Sequence, residues 1–248
     1  MKKSGLLGIE DNLPRKCVLI CGEDLAVITN VLKELNITYD LVLKKREFSI
    51  FVINYNKKKL TLAVTGLGSA SIELILQELL QVDINVIGLA GTCGISKHFE
   101  LGEPIFINQA SYEFGSPDFY DDFKIKTFYP NSKFKPGELK SAMGVSSDSF
   151  YAIGGVLEQN RIVYKGAKTK KTPPAVLKFE KLYNSNEPYV IDMETAFFFA
   201  FQNIFKNFKC FCVRAGSNYV PFDPKDFIKD ENTAVKNSLI EVLRIINE

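Results

Sequence analysis

The chain has 248 residues, 46% of them hydrophobic and 24% charged, with 16 Gly and 10 Pro. That composition belongs to a soluble globular protein able to bury a core without staples, and it excludes disorder, collagen-like repeats and a disulfide scaffold. Thirty-one Lys and Arg against 29 Asp and Glu leave a net charge of +2, so no broad field favours nucleic acid or an anionic membrane surface. The longest charge-free stretches, Leu60–Ile72 and Ile84–Ser96, fall short of the roughly 20 residues a spanning helix needs. The apolar run Leu6–Ile9 is too short for a secretory leader. Cys17, Cys21, Cys93, Cys210 and Cys212 are odd in number, form no CxxC pair and sit mostly in strand-like runs. They predict buried, reduced thiols, no metal site and a reducing compartment, taken as the cytoplasm.

In chain order, Cys17–Cys21 predicts a buried strand ending at Gly22, followed by a helix to about Leu35. Phe48–Asn56 and Leu60–Thr65 predict an antiparallel pair around the Lys57–Lys59 turn, which reads as solvated. Gly66-Leu67-Gly68-Ser69 then leads into a helix with Ile72, Ile75, Leu76, Leu79 and Leu80 on one face, Ser69 or Ser71 serving as its cap. Asn85–Leu89 enters the turn Gly91-Thr92-Cys93-Gly94, and Ile105–Ala110 is a further strand. Residues 115–140 read as a long excursion. Strands return at Met143–Ser147 and Tyr189–Ile191, a helix covers Thr195–Phe205, and Lys209–Arg214 is a strand breaking at Gly216-Ser217-Asn218. Asn232–Asn247 closes the chain as an amphipathic helix with Val235, Leu239, Val242, Leu243 and Ile246 inward. The alternation predicts a mixed, largely parallel sheet with helices on both faces, and ligands collect where such strands end.

Several strand ends carry polar groups. Gly66-Leu67-Gly68 lacks the third glycine of a dinucleotide fingerprint, because position 71 is Ser. It reads instead as a tight turn close to a small ligand. Gly91–Gly94 offers backbone N–H groups and a hydroxyl to an anion or a sugar. Asp192-Met193-Glu194 places two carboxylates on opposite sides of an extended chain: one grips vicinal hydroxyls and the other is tied structurally, or both serve as partners of a helix N-terminus. Ser147-Asp148-Ser149-Phe150-Tyr151 sets aromatics for stacking or for the core. His98, the only histidine, reads as a surface residue.

Taken in this order and spacing, Gly22, Arg46-Glu47-Phe48, Gly66–Ile72, Gly91-Thr92-Cys93-Gly94, Ser146–Tyr151, Asp192-Met193-Glu194 and Val213–Asn218 resemble the nucleoside phosphorylase/nucleosidase superfamily. The likeness is greatest to the hexameric purine nucleoside phosphorylases of its uridine phosphorylase-like branch. It runs from residue 17 to the end, leaving 1–16 as an N-terminal extension and 17–248 as the nucleoside phosphorylase-like domain. It implies a single α/β domain whose mixed central sheet closes partly into a barrel flanked by helices. It also implies a cytoplasmic glycosyltransferase of the pentosyltransferase type, acting in purine salvage, that cleaves the N-glycosidic bond of a 6-oxopurine ribonucleoside with phosphate as nucleophile. A nucleosidase using water and a catalytically impaired nucleoside-binding homologue are the alternatives.

By the same resemblance Glu194 holds the ribose hydroxyls, Met193 packs on the sugar and Asp192 fills the preceding acidic position. Phe150 and Tyr151 stand beside base and ribose. Cys93 and Gly94 line the base side with Ile191 behind, and Ser217 with Asn218 meets the purine N7, making Asn218 and Glu194 the catalytic pair. Gly22, Thr92 and Arg46 form the phosphate site, Arg46 reaching in from a neighbouring subunit of a dimer or a trimer of dimers. The partner is a small-molecule nucleoside. No metal and no cofactor are expected beyond phosphate as co-substrate. Ala26 and Leu89 occupy positions where the family carries phosphate-binding arginines, and Asn218 stands where it carries an acid. Neither Ala nor Leu replaces a charge-assisted bidentate bond, and an amide supplies no proton.

Overall fold

Strand β1 (Lys16–Cys21) alternates between two cores: Cys17, Leu19 and Cys21 face one, Val18 and Ile20 the other, and all five are buried. A strand apolar on both faces needs helices on both. The computed structural model describes residues 3–114, 127–147, 156–158, 161–163, 186–220 and 231–248. On the first side lie α2 (Gly68–Gln81), turning Ile72, Ile75, Leu76 and Leu79 inward, and α3 (Thr195–Ile204), turning Phe198, Phe199 and Phe201 inward. On the second lie α1 (Leu25–Glu34), with Ile28, Val31 and Leu32, and α4 (Glu231–Asn247), with Val235, Leu239, Val242 and Leu243. Each such side chain contributes about 1.5–3 kcal/mol on burial, so the helical stripes visible in the sequence set these faces. No helix among the described residues is long and apolar enough to cross a membrane.

One sheet of eleven strands carries these helices. From its edge, β2 (Thr38–Lys45), β3 (Phe48–Tyr55) and β4 (Lys58–Thr65) form an antiparallel meander. Next come β1, β5 (Val86–Ala90) and β13 (Lys209–Tyr219), each parallel to its neighbour. Strand β13 then leaves the open sheet. Its first half pairs with β5, and its second half pairs in parallel with β6 (Thr92–Ile95). Strands β12 (Tyr189–Asp192), β9 (Lys140–Ser147) and β7 (Pro104–Phe114) follow, and β7 pairs back onto Val213–Ala215 of β13. That return closes a five-stranded barrel, with β8 (Thr127–Phe128) at its margin and the hairpin β10 (Val156–Glu158) and β11 (Arg161–Val163) separate.

This single-domain α/β architecture is the expected one, and several local expectations are corrected. Strand β2 carries no apolar alternation, because as an edge strand it is largely exposed, and so the expected pair is a triple. Gly91–Gly94 is not one turn. Gly91, at φ +146°, breaks the chain and Thr92 immediately starts β6. Strand β13 does not stop at Gly216 but runs on to Tyr219 through a bulge between Gly216 and Asn218, because β6 continues to pair with it. Helix α2 begins at Gly68 with Leu67 at its N-cap, and neither Ser69 nor Ser71 caps it. Strand β7 runs past the expected Ala110 to Phe114, and β8 lies within the excursion expected over 115–140, of which residues 115–126 lie outside the described residues. All five cysteines are free and buried, and His98 is exposed.

The segment before β1 is tied to α2 by Gln81, whose Oε1 accepts from the Gly5 amide at 2.9 Å, and above all by Glu78. The Glu78 carboxylate, 2% exposed, accepts from Ser4 Oγ at 2.5 Å and from the amides of Leu6 and Leu7 at 2.9 and 2.7 Å. Leu7, Ile9 and Leu13 thereby enter the first core. Burial pushes the Glu78 carboxyl up, but the Ser4 hydroxyl and the two amides outweigh it and hold it below its ordinary 4.5. A depressed acid adds stability above its unfolded-state value and loses it as pH falls through the folded one. Glu78→Gln should therefore cost about 1–3 kcal/mol at neutral pH in urea melts. The gap from wild type should shrink as the pH drops below 4.5, and faster amide exchange at Leu6 and Leu7 should accompany the loss.

Candidate active site

The parallel strands deliver their C-terminal ends to one place: Gly22 and Glu23 after β1, Thr65 to Gly68 after β4, and Gly91 and Thr92 between β5 and β6. Asp192 to Glu194 after β12 and the bulged half of β13 complete it. At its centre is Arg214, only 1% exposed. Its Nη2 lies 2.9 Å from Asp192 Oδ2 and 3.0 Å from Glu194 Oε2, and its Nε donates to Thr195 Oγ1 at 3.3 Å. Thr195 Oγ1 donates in turn to Asp192 and touches Cys212 Sγ at 3.4 Å. Ser146 Oγ donates to Asp192 Oδ1 at 2.5 Å and accepts from the Ala196 amide at 2.9 Å. Asp192 also accepts from the Thr195 amide, the first N–H of α3.

Glu194 is held at both oxygens. Oε2 faces Arg214, and Oε1 accepts from the Gly68 amide at 2.9 Å. The amide that opens α2 thus meets a carboxylate from 126 residues away, where the sequence suggested a local serine cap. Each oxygen keeps a lone pair for a ligand hydroxyl. Burial pushes the Glu194 carboxyl up and Asp192 adds to the rise, against the pull of Arg214 and the Gly68 amide. Burial also works against the Arg214 charge, but Asp192 and Glu194 hold the guanidinium well above its ordinary range. Gly91 makes room for it, because a Cβ there would lie 2.5 Å from Arg214 Nη1.

The expected base side is assembled from β6, β12 and β13. Gly94 pairs with Ile191 and with Asn218, and a Cβ on Gly94 would stand 3.3 Å from Asn218 Nδ2. Ser217 Oγ donates to the Cys93 carbonyl at 3.2 Å and to Asn218 Oδ1 at 3.1 Å, while Asn218 Nδ2 donates to the Tyr219 carbonyl at 3.0 Å. Met193, between Asp192 and Glu194, is half-buried. Burial pushes the Cys93 thiol well up and the Cys212 thiol up to about 12, so both are walls rather than nucleophiles. Phe150 and Tyr151 lie outside the described residues.

On the expected phosphate side, Gly22 has φ +76° and its amide donates to Thr65 O at 2.9 Å, with Leu67 filling the space a Cβ would take. Thr92 Oγ1 donates to Glu23 Oε1 at 3.1 Å, which puts a carboxylate between the two elements expected to hold phosphate. Leu89 is fully buried in the first core and Ala26 is exposed on α1. Arg46 is exposed on the turn between β2 and β3, and none of the hydrogen bonds named above reaches it.

The sequence motifs included Arg214 and Ser146 but gave them no role, and Thr195 and Glu23 were missed as parts of the site. A signal for Arg214 was available: an arginine inside the apolar run Cys210–Ala215 is buried if the run is a strand, and a buried guanidinium needs counter-charges. Removing it strands two buried carboxylates. Arg214→Met should cost about 3–5 kcal/mol in urea denaturation. Arg214→Lys should recover only part of that loss, because one ammonium cannot reproduce the fork onto Thr195, Asp192 and Glu194.

The sequence profile of the phosphorylase superfamily matches residues 17–247. Among solved structures, purine nucleoside phosphorylase from Toxoplasma gondii in complex with immucillin-H superposes with a TM-score of 0.73 at 19% identity, covering 99% of this chain and 95% of that one. Uridine phosphorylase from Vibrio fischeri gives 0.70 at 19% identity, over 99% and 96%. The 5′-methylthioadenosine/S-adenosylhomocysteine nucleosidase of Helicobacter pylori gives 0.68 at 14% identity, over 94% and 98%. At these identities the likeness is one of fold, while the profile match spans nearly the whole chain. The chain belongs to the phosphorylase superfamily, whose members are nucleoside phosphorylases and nucleosidases.

Proposed function

We propose that this protein cleaves the N-glycosidic bond of a purine ribonucleoside with water, not phosphate, as the nucleophile. The observation that carries the choice of nucleophile is the Thr92 Oγ1 to Glu23 Oε1 hydrogen bond at 3.1 Å. A phosphate site needs surplus positive charge, and here the buried Arg214 guanidinium already answers two carboxylates, while a third carboxylate, that of Glu23, accepts from Thr92. A dianion is repelled by that balance; neutral water is not. Phosphorolysis, the reaction expected from the resemblance, would need cations that Ala26 and Leu89 do not supply.

In this reading Glu194 accepts the ribose 2′- and 3′-hydroxyls and is held for that task by Gly68 and Arg214. Asp192, Thr195 and Ser146 position Arg214. Glu23 takes a proton from water as its oxygen bonds to C1′, and the C1′–N9 bond breaks with its electron pair passing to the base. Asn218 donates an N–H to N7 of the departing purine, stabilising charge without transferring a proton, which suits a 6-oxopurine. Arg46, on its exposed turn, serves the site of a neighbouring subunit.

A panel of inosine, guanosine and adenosine, with and without phosphate, tests this by following free base and sugar. Free ribose should form at the same rate in both conditions. Glu23→Gln should lower kcat by about 10²–10⁴ with little change in KM, whereas Glu194→Gln should chiefly weaken ribonucleoside binding. A strict, saturable phosphate requirement with a sugar phosphate as product would make the enzyme a phosphorylase. Nucleoside binding in calorimetry with no base released would make it a binding protein. Sedimentation at micromolar concentration should show a dimer or larger, and a monomer would remove the role given to Arg46.

A further inference from the structure

A second cleft, with lysines at its rim and an apolar floor, lies at the opposite end of β1 from Glu194. Lys16 opens β1 beside Val86 of β5, and the six residues of β1 carry the chain roughly 16 Å from this end to Cys21. The cleft holds about 170 Å³ and is lined by Lys16, Val86, Lys133, Phe134, Lys135 and the last turn of α4. Lys16 Nζ donates to the Ile246 carbonyl at 2.5 Å, and Lys58 Nζ, from the lysine turn of the sequence, donates to the Asn247 carbonyl at 2.9 Å. Ammonium groups at a helix C-terminus complement its dipole, so two of the four lysines have a structural task. Lys133 and Lys135 line the same cleft from an exposed turn.

Three observations make the cleft more than a solvated lysine patch. First, its acid is answered from outside, since Glu248 Oε1 accepts from Arg244 Nη1 at 2.8 Å. Second, the turn that presents Lys133 and Lys135 is anchored. The Asn131 amide donates to the Cys210 carbonyl at 2.8 Å, the Phe134 amide to the Asn131 carbonyl at 3.1 Å, and the Phe134 ring lies 4.5 Å from that of Phe211. Third, the cations crowd one another: burial first, then Lys58 and Lys133, push the Lys16 ammonium below its ordinary range. Such crowding is relieved by an anion. At about 170 Å³ the cleft has room for a compact oxyanion.

We propose that this cleft is an anion site for inorganic phosphate or an oxyanion of that size, distinct from the glycosidic site and joining β1, the 131–135 turn and the end of α4. A ligand that binds only the folded chain stabilises it in proportion to its occupancy. Phosphate titrated against chloride at matched ionic strength should therefore give a saturable rise in Tm and a calorimetric isotherm. The double variant Lys133→Gln/Lys135→Gln leaves the Lys16 and Lys58 bonds to α4 in place and should weaken phosphate at least tenfold, abolishing the rise. Lys133→Arg/Lys135→Arg should retain it, as should Glu194→Gln. A rise that persists unchanged in the glutamine variant would assign the phosphate to the glycosidic site or to general salt exclusion and overturn the proposal. So would the absence of saturable binding to the wild type.

Discussion

A guanidinium that is 1% exposed has no water to solvate it, so the fold around Arg214 must supply its counter-charges at fixed positions. Those positions are the end of β12 and the start of α3. Asp192 and Glu194 flank Met193, and both point to Nη2 of the same arginine. Everything near them follows from that demand. Gly91 lacks a side chain where Nη1 passes, Thr195 turns its hydroxyl between Nε and Asp192, and the first amide of α2 closes on the far oxygen of Glu194. A site built this way gains rigidity from ion pairs whose desolvation cost leaves little net stability, so its value lies in positioning.

The same charge balance bears on chemistry. Two carboxylates around one cation leave a negative surplus, and Asp192 and burial together make Glu194 harder to ionise. An electron-rich cradle of this kind complements a sugar that turns cationic as its glycosidic bond breaks, the shared difficulty of glycoside cleavage. It also opposes an incoming anion. The carboxylate of Glu23, beside Thr92, is a further negative group at these strand ends. The superfamily contains both phosphorylases and nucleosidases, so the fold does not choose the nucleophile, and the water reaction proposed above rests on the charges at one strand end.

The strand topology explains how residues distant in sequence share this cradle. Strand β13 belongs to the open sheet through Cys212 and to the barrel from Val213 onward. Arg214 stands one residue past that change of partner, and the bulge between Gly216 and Asn218 re-aims the strand beside Gly94. Ligand sites of α/β sheets gather where strand order changes, and here the change takes place within a single strand.

Local periodicity accounts for the layers. Apolar alternation in Cys17–Cys21, the stripes of α2 and α4 and the strand signals at Asn85–Leu89 and Lys209–Arg214 each reflect a local period that burial must respect, and they fixed a sheet with helices on both faces. They also placed Asp192, Glu194, Cys93, Gly94, Ser217 and Asn218 at strand ends. Only the tertiary structure decided what those ends do to one another. That Arg214 is the hub, that Glu194 rather than a serine meets the start of α2, that Glu23 closes on Thr92 and that β6 continues through a glycine-rich stretch all depend on contacts between segments far apart in the chain. Periodicity records which way a side chain faces. It carries no record of which distant charge will lie opposite, and in a buried site that pairing sets the protonation and the geometry.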